Sequence, residues 1–519
     1  VDTQEQHGGA IGHCRSLPVA PRVSSVTPHA PQEAGDRAEA FLTDPSRADA
    51  VDTVLRRKTT GYRAASSRGR IDFARADHGF TVLEHTGEHP LADDRVDQRL
   101  DPATEHDGAW DPLGVHATPL AMASIAQYFD SRHAPDLAVL HAPTHRFHGN
   151  AGEHGSLATT QARAPFIAAG AGSVARGDVD EHLRAVDVAP TLAALLGCPP
   201  VDGHDGLGNP RADVRLAVQD GDVRDELVDP DDRPDHVVVF LLDGTNPNAL
   251  RASIDRGQAP RIGELAARGT SYRHGLVASL PTATLGNHMT QLTGVHPGHS
   301  GVLHNTWYDR DHDRVVDLLD LDQMMRAADH LRPDIETVHE ALHRVRPDAR
   351  SAVTYEYADR GADWSTYEHM ARRAATPPVP DEARRRHRTT TFFDGDEGYR
   401  FKSLVDAQSS HQAQWLWSGA LGALPAFTWV TLNLTDEAGH TGGPHSDIAM
   451  AAIADSDGRV GDVLDAVDAA GATDRTAVVV LADHGMQQTA DSDPVDLSGG
   501  LTDAGVDHLM VDAQYVYLR

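Results

Sequence analysis

The sequence predicts an α/β protein: a doubly wound, mainly parallel sheet with helices on both faces and a small inserted cap. Three observations carry this. From Asp235 onward, short apolar runs alternate with stretches of helical spacing, the pattern of strand–helix–strand units. The strongest run, Val237-Val238-Val239-Phe240-Leu241-Leu242, is apolar throughout, as expected of a strand covered on both faces. Three such runs are each followed by an acidic or histidine-bearing motif, and open α/β sheets place their sites just beyond the carboxyl ends of strands.

In chain order, residues 1–34 mix Pro, Gly, Ser, His and Gln without periodicity and read as a flexible lead-in. Residues 35–200 form a first regular unit. Within it, Arg47 to Arg57 has helical spacing. Asp136 to Leu140 and Ala164 to Ala168 read as short buried strands. Val186 to Leu196 reads as a helix stopped by Gly197 and Pro199-Pro200. Residues 201–234, acidic with scattered Gly and Pro, read as a linker. Residues 235–519 form the second, stronger unit. Its expected helices are Pro260 to Arg268, with proline in the first turn, Glu336 to Arg344, Gln412 to Leu421 and Ser446 to Ala470. Its further strands are Ser351 to Thr354, Phe427 to Asn433 and Ala477 to Leu481. Residues ~307–415 break this rhythm with aromatics and the run Arg384-Arg385-Arg386-His387-Arg388, and read as the inserted cap.

Composition narrows the function. Of 519 residues, 40% are hydrophobic and 24% charged, ordinary for a globular protein. No apolar run approaches the ~20 residues that span a bilayer, and Val1 to Gly12 has no basic-then-apolar leader. No membrane association is expected, and a cytoplasmic location is the default expectation. The net charge of −31 repels nucleic acid and suits cations. Cys14 and Cys198 are far apart and in no C-x-x-C pair, which argues against a disulfide framework or a thiolate zinc site. With 32 histidines in the chain, any one alone means little.

The strand-end motifs are Asp243, Asp436-Glu437-Ala438-Gly439-His440 and Asp483-His484-Gly485. Aspartate and neutral histidine ligate Zn²⁺ and similar divalent ions. Taken singly, each reads as a helix cap or a surface turn. Together they offer five ligands, more than one tetrahedral ion takes, so two divalent ions are expected: Zn²⁺ first, Mn²⁺ as the alternative. A fourth motif runs Ser279-Leu280-Pro281-Thr282-Ala283-Thr284-Leu285-Gly286-Asn287-His288, then Thr293-Gly294-Val295-His296-Pro297. A threonine opening a helix meets free N–H groups and the positive end of the dipole, which suits a phosphate; alone, it would read as an N-cap.

This fourth motif closely resembles the nucleotide pyrophosphatase/phosphodiesterase group of the alkaline phosphatase superfamily, where P-T-x-T-x-x-N-H opens the helix bearing the nucleophile. The resemblance implies an alkaline phosphatase-like fold and Thr284 as nucleophile, with Asn305 of Val302-Leu303-His304-Asn305 on a phosphoryl oxygen. It implies one ion held by Asp243, Asp483 and His484, facing Thr284, and another held by Asp436, His440 and His154. The last of these departs from the family's order. The family's final histidine follows its D-H-G-M motif, but after Met486 the chain offers only His508. The matching stretch, Gly149 to Leu157 with His154, then Arg163 to Gly170 and Leu183 to Leu192, stands at the front. The halves are therefore expected in swapped order, through a circular permutation or a frame cut from a tandem array, with Gln514 to Leu518 continuing into the expected helix near Ala48. Asp77-His78-Gly79 mimics the D-H-G motif but follows a charged stretch, and is expected on the surface.

What the resemblance implies is metal-dependent hydrolysis of a small phosphoric ester, a phosphodiester or pyrophosphate first, through a phosphothreonine. Alternatives are a phosphomonoester or a phosphonoacetate-type substrate, or an inactive binding or scaffold protein if the halves do not form one site. Nucleotide-binding members carry an aromatic after the nucleophile; here that position is Leu285. The sequence leaves the oligomeric state open.

Overall fold

A computed structural model of the protein describes residues 32–96, 117–142, 145, 149–385, 396–489 and 494–519. The expected lead-in lies outside these up to residue 31; residues 32–34 belong instead to the helix Gln32–Leu42.

The central sheet has eight strands in the spatial order Trp364–Ser365, Ser351–Thr354, Phe427–Leu432, His236–Leu242, Thr476–Leu481, Phe166–Gly170, Thr270–Tyr272, Gly177–Val179. The first five run parallel. Phe166–Gly170 runs antiparallel to both of its neighbours. The two-residue alternation of the central strand sorts its side chains onto opposite faces. Val238, Phe240 and Leu242 pack in one core with Leu250, Ile262 and Val460, from the helices Pro247–Asp255, Pro260–Arg268 and Asp447–Ala469. Val237, Val239 and Leu241 pack in the other with Leu192, Met289 and Leu342, from Val188–Leu195, Thr284–Thr293 and Val338–Val345. The doubly wound, mainly parallel α/β fold is thus present. Among the described residues no helix is long and apolar enough to cross a membrane.

Four expectations are corrected. Arg47 to Arg57 is not a helix: Val51–Arg57 is a strand hydrogen-bonded on both sides. Ala48, Val51 and Leu55 mimic a helical stripe, but Val54 and Leu55 are buried in different cores, and β-branched Val51, Thr53 and Val54 favour the strand. This strand sits in an unanticipated antiparallel sheet of seven, ordered His508–Asp512, Tyr515–Leu518, Leu137–His141, Val51–Arg57, Tyr62–Ala65, Gly69–Arg75, Phe80–Gly87. Residues 201–234 are no bare linker. They carry the hairpin Val201–His204/Pro210–Val214 and the buried Asp220. The helix expected from Gln412 begins at Glu397, where the Asp396 side chain accepts the Tyr399 N–H at 2.7 Å. Finally, the cap is not one insertion. The hairpin Thr306–Asp309/Arg314–Asp317 stands apart, but Ser351–Thr354 and Trp364–Ser365 belong to the central sheet. Arg386 to Arg388 lie outside the described residues.

Candidate active site

Parallel strands deliver their carboxyl ends to one edge of a sheet. There His236–Leu242 is followed by Asp243, Phe427–Leu432 by the helix Leu434–Gly442 with Asp436 and His440, and Thr476–Leu481 by Asp483 and His484. Phe166–Gly170, being antiparallel, begins where Thr476–Leu481 ends, with Phe166 opposite Leu481. The segment upstream of it therefore arrives at the same edge, carrying His154.

That segment is tied in place. Glu153 and Gly152 pair with Gln487 and Gln488, and the Ala151 N–H donates to the His440 carbonyl at 2.8 Å. Thr282, the threonine two residues before Thr284, is its clasp: its hydroxyl donates to the Ser156 carbonyl at 2.8 Å and accepts the Gly155 N–H at 3.0 Å. The His154 ring stacks on that of His484, centroids 3.8 Å apart, and lies 5.0 Å from that of His440.

Each of these three imidazoles lies with Nδ1 against a backbone carbonyl: His154 on Thr282 at 2.9 Å, His440 on Gly152 at 2.7 Å, His484 on Gly485 at 2.9 Å. Donation there leaves Nε2 as the free lone pair; at His440 the Asn150 amide nitrogen also stands 3.1 Å from Nδ1. His484 Nε2 lies 3.1 Å from Asp483 Oδ2, 3.5 Å from Thr284 Oγ1 and 3.8 Å from Asp243 Oδ1. His154 Nε2 lies 3.8 Å from Asp436 Oδ1, and His440 Nε2 lies 3.5 Å from Asp436 Oδ2. Gly244 permits this crowding: its φ is 62°, and a Cβ there would stand 2.4 Å from Asp436 Oδ1.

Burial and neighbouring imidazoles depress the pKa of His154 to about 3, and burial depresses that of His484 to about 4; both rings are neutral. Burial, then the Asp483 and Asp436 charges, raises Asp243 well above the carboxylate range, and burial also raises Asp483. Burial pushes Asp436 up, but His440, His154 and His484 outweigh it and hold it at about 2. Asp243 Oδ1, Asp436 Oδ1 and Asp483 Oδ2 are buried without a hydrogen-bond partner among the described residues. Such a set of orphaned carboxylate oxygens and imidazole lone pairs fits divalent cations. Among the described residues at this site, two groups have ligand atoms mutually within 4.8 Å: Asp243, Asp483, His484 and His154, Asp436, His484. His484 thus lies in both, while His440 reaches the second through Asp436.

Thr284 is the first residue of the helix Thr284–Thr293. The Leu285 N–H donates to Asn305 Oδ1 at 3.1 Å, so this N–H at the helix start is already engaged. Leu285 itself is core, 1% exposed. A cavity of about 240 Å³ opens beside the cluster, lined by His154, Asn305, His440, Asp512 and Gln514 among others. Asp77 and His78 are exposed in the turn between Gly69–Arg75 and Phe80–Gly87. Sequence reasoning missed His288 and Glu356, fully buried behind Asp483. Glu356 follows the strand Ser351–Thr354, so the strand-end rule could have found it.

The type I phosphodiesterase / nucleotide pyrophosphatase family matches residues 237–519, more than half of the chain. The chain belongs to this family. Within the family match lie Asp243, Thr284, Asn305, Asp436, His440, Asp483 and His484; His154 lies outside it. No curated protein matches the chain. Among solved structures, murine ectonucleotide pyrophosphatase/phosphodiesterase 5, also solved in complex with AMP, is 15% identical with a TM-score of 0.34. Phosphonoacetate hydrolase from Sinorhizobium meliloti 1021, in complex with phosphonoacetate, is 19% identical with a TM-score of 0.30. Each match covers 49% of this chain and only 57% of the neighbour.

Proposed function

We propose that this member of the family is a two-metal hydrolase of phosphodiester or pyrophosphate bonds, with Thr284 as nucleophile. The observation that carries the reading is the convergence of three Nε2 lone pairs and three orphaned carboxylate oxygens beside the Thr284 hydroxyl. Asp243, Asp483 and His484 would hold one cation, and Asp436, His440 and His154 the other, with His484 close to both. When bound, two divalent cations supply Lewis acidity to the attacking and leaving oxygens of an in-line displacement. Thr284 Oγ1 loses its proton and forms the bond to phosphorus as the P–O bond to the leaving group breaks, releasing an alcohol from a diester or a phosphate from a pyrophosphate, and water then cleaves the phosphothreonine. Asn305 spends Oδ1 on the Leu285 N–H, which leaves its amide N–H groups for a phosphoryl oxygen.

Two features bear on the substrate and on the chain order. Leu285 lies in the core, so the aromatic platform of nucleotide-binding members has no counterpart at that position. The swapped order is part of the proposal too: residues 235–519 would be the front of the domain and 35–200 its close. Joint strand pairing of Phe166–Gly170 with Thr476–Leu481, and the stacking of His154 on His484, support one site made from both halves.

The test is hydrolysis of bis(p-nitrophenyl) phosphate against p-nitrophenyl phosphate, with Zn²⁺ or Mn²⁺ and with EDTA. Metal-dependent release favouring the diester, abolished in Thr284→Ala, is the expected result. Preference for the monoester keeps the site and moves the substrate. An unchanged rate in Thr284→Ala removes Thr284 as nucleophile, and no release from either substrate leaves a phosphonate or a binding role.

A further inference from the structure

His288 and Glu356 have no part in the chemistry above, yet both are fully buried against it. His288 stands one turn after Thr284 on the same helix. Its Nδ1–H donates to Glu356 Oε2 at 2.8 Å. The same Oε2 accepts the Thr431 hydroxyl at 2.8 Å, and Oε1 accepts the N–H groups of Tyr357 at 2.9 Å and Ala358 at 3.0 Å. Glu356 is thus fully engaged and fixes the imidazole, which the Tyr357 ring flanks edge-on at 5.0 Å. Tyr355, just before it, is held at φ 53°, a conformation that a bulky residue keeps only where its surroundings impose it.

His288 Nε2 remains. It is buried, has no hydrogen-bond partner among the described residues, and lies 3.7 Å from Asp483 Oδ2, which has none either. Asp483 Oδ1 is already taken, accepting the Gly244 N–H at 3.0 Å. A histidine that only filled space would need neither a buried carboxylate behind it nor an orphaned nitrogen in front, since orphaned polar atoms are rare in packed cores. Metal-binding carboxylates, by contrast, are themselves oriented by groups outside the ligand shell.

We infer that His288, held by Glu356, is a positioning residue for Asp483, setting that carboxylate for its cation and tying it to the helix that carries Thr284. This rests on the metal-site reading above. The Thr431–Glu356–His288–Asp483 chain joins the carboxyl ends of three parallel strands, Phe427–Leu432, Ser351–Thr354 and Thr476–Leu481, through the nucleophile's own helix.

The experiment titrates metal-free full-length protein with Zn²⁺ in competition with a chromophoric chelator, with urea unfolding of the metal-free chain as the check on folding. Wild type is expected to take up two equivalents. His288→Ala and Glu356→Gln should each weaken one of them about 10–100-fold, the usual effect of losing an outer-shell partner, and spare the other. Acting in series, the two changes together should weaken it no more than His288→Ala alone. Wild-type affinity at both sites in folded His288→Ala, or losses that simply add in the double variant, would overturn the inference. Should His288→Ala fail to fold, Glu356→Gln decides: it keeps the shape of the side chain, and unchanged Zn²⁺ affinity there overturns it equally. Wild type that binds no Zn²⁺ would remove the metal site, and the positioning role with it.

Discussion

Raising the pH from 6.5 to 9.5 should destabilise the metal-free protein, in part through the buried His299. His299 follows the helix of Thr284 and lies between two carboxylates: Nδ1 is 2.7 Å from Asp220 Oδ2, and Nε2 is 2.9 Å from Asp130 Oδ2. Burial alone would lower its pKa, but the two carboxylates outweigh burial and raise it to about 9. The unfolded value is about 6.5, so the native state holds the proton more tightly, and the stabilisation is complete below pH 6.5 and lost as pH rises through about 9. At 1.36 kcal/mol per pKa unit, a shift of about 2.5 corresponds to about 3 kcal/mol. For a chain of this length unfolding as one unit that is about 3 °C in melting temperature. The neighbours stay silent in this window: His296 is depressed to about 3, Tyr62 raised to about 12, and Asp220 held far below the carboxylate range. Urea unfolding of metal-free wild type and His299→Gln at pH 6.5, 7.5, 8.5 and 9.5 measures it. Wild type should lose about 3 kcal/mol more across the series than His299→Gln, which should be the weaker protein at pH 6.5 because it removes the positive charge between Asp130 and Asp220. Equal pH slopes in the two proteins would refute the assignment.

Three further outcomes follow from the site. His154→Ala should remove one of two bound Zn²⁺ equivalents, measured by metal analysis after gel filtration, and abolish hydrolysis, whereas His78→Ala in its exposed turn should change neither. Asn305→Ala should lower kcat about 10²–10³-fold with little change in KM, the signature of a contact made to charge that develops in the transition state. Leu285→Phe should not build a base-stacking platform; it should overpack the core and cost about 1–3 kcal/mol in urea unfolding, with no gain in KM for a nucleotide diester over a simple aryl diester.

The parallel sheet was legible because its strands are covered on both faces and so spell continuous apolar runs; Val237 to Leu242 and Ala477 to Leu481 needed no other signal. The antiparallel sheet was not. Phe80–Gly87 is exposed along nearly its whole length, and in Gly69–Arg75 only Ile71 and Phe73 are buried, among Arg70, Asp72 and Arg75, an alternation too short to stand out. Residues 201–234 escaped for a related reason. Their order comes from side-chain bonds such as Asp220 to the N–H groups of Gly206 and His296, which no periodicity reveals. At the site, the ligand-type residues were legible from their place after strands. His288 lies in the same motif as Thr284, but its place behind Asp483 depends on a 3.7 Å approach between a helix and a strand end, a distance that spacing along the chain does not encode.

What the site requires is that Asp243, Asp436 and Asp483 leave parallel strands at one edge and that His154 enters at that edge on an antiparallel one; none of this depends on which segment is threaded first. The helix Gln32–Leu42 and the strand Tyr515–Leu518 also share one small core, in which Ala38 and Leu42 pack with Val516 and Leu518. A chain re-ordered as 235–519, a short flexible linker, then 32–234 would therefore keep every strand pairing and both cores. It would break only the peptide link between Pro234 and Asp235, near the surface where Asp235 is exposed and pairs with Arg475. Such re-ordering is tolerated where few contacts cross the cut. If the re-ordered chain folds and hydrolyses like the original, the order is incidental to the site; if it folds but loses one metal equivalent, the link between Pro234 and Asp235 matters to how His154 is delivered.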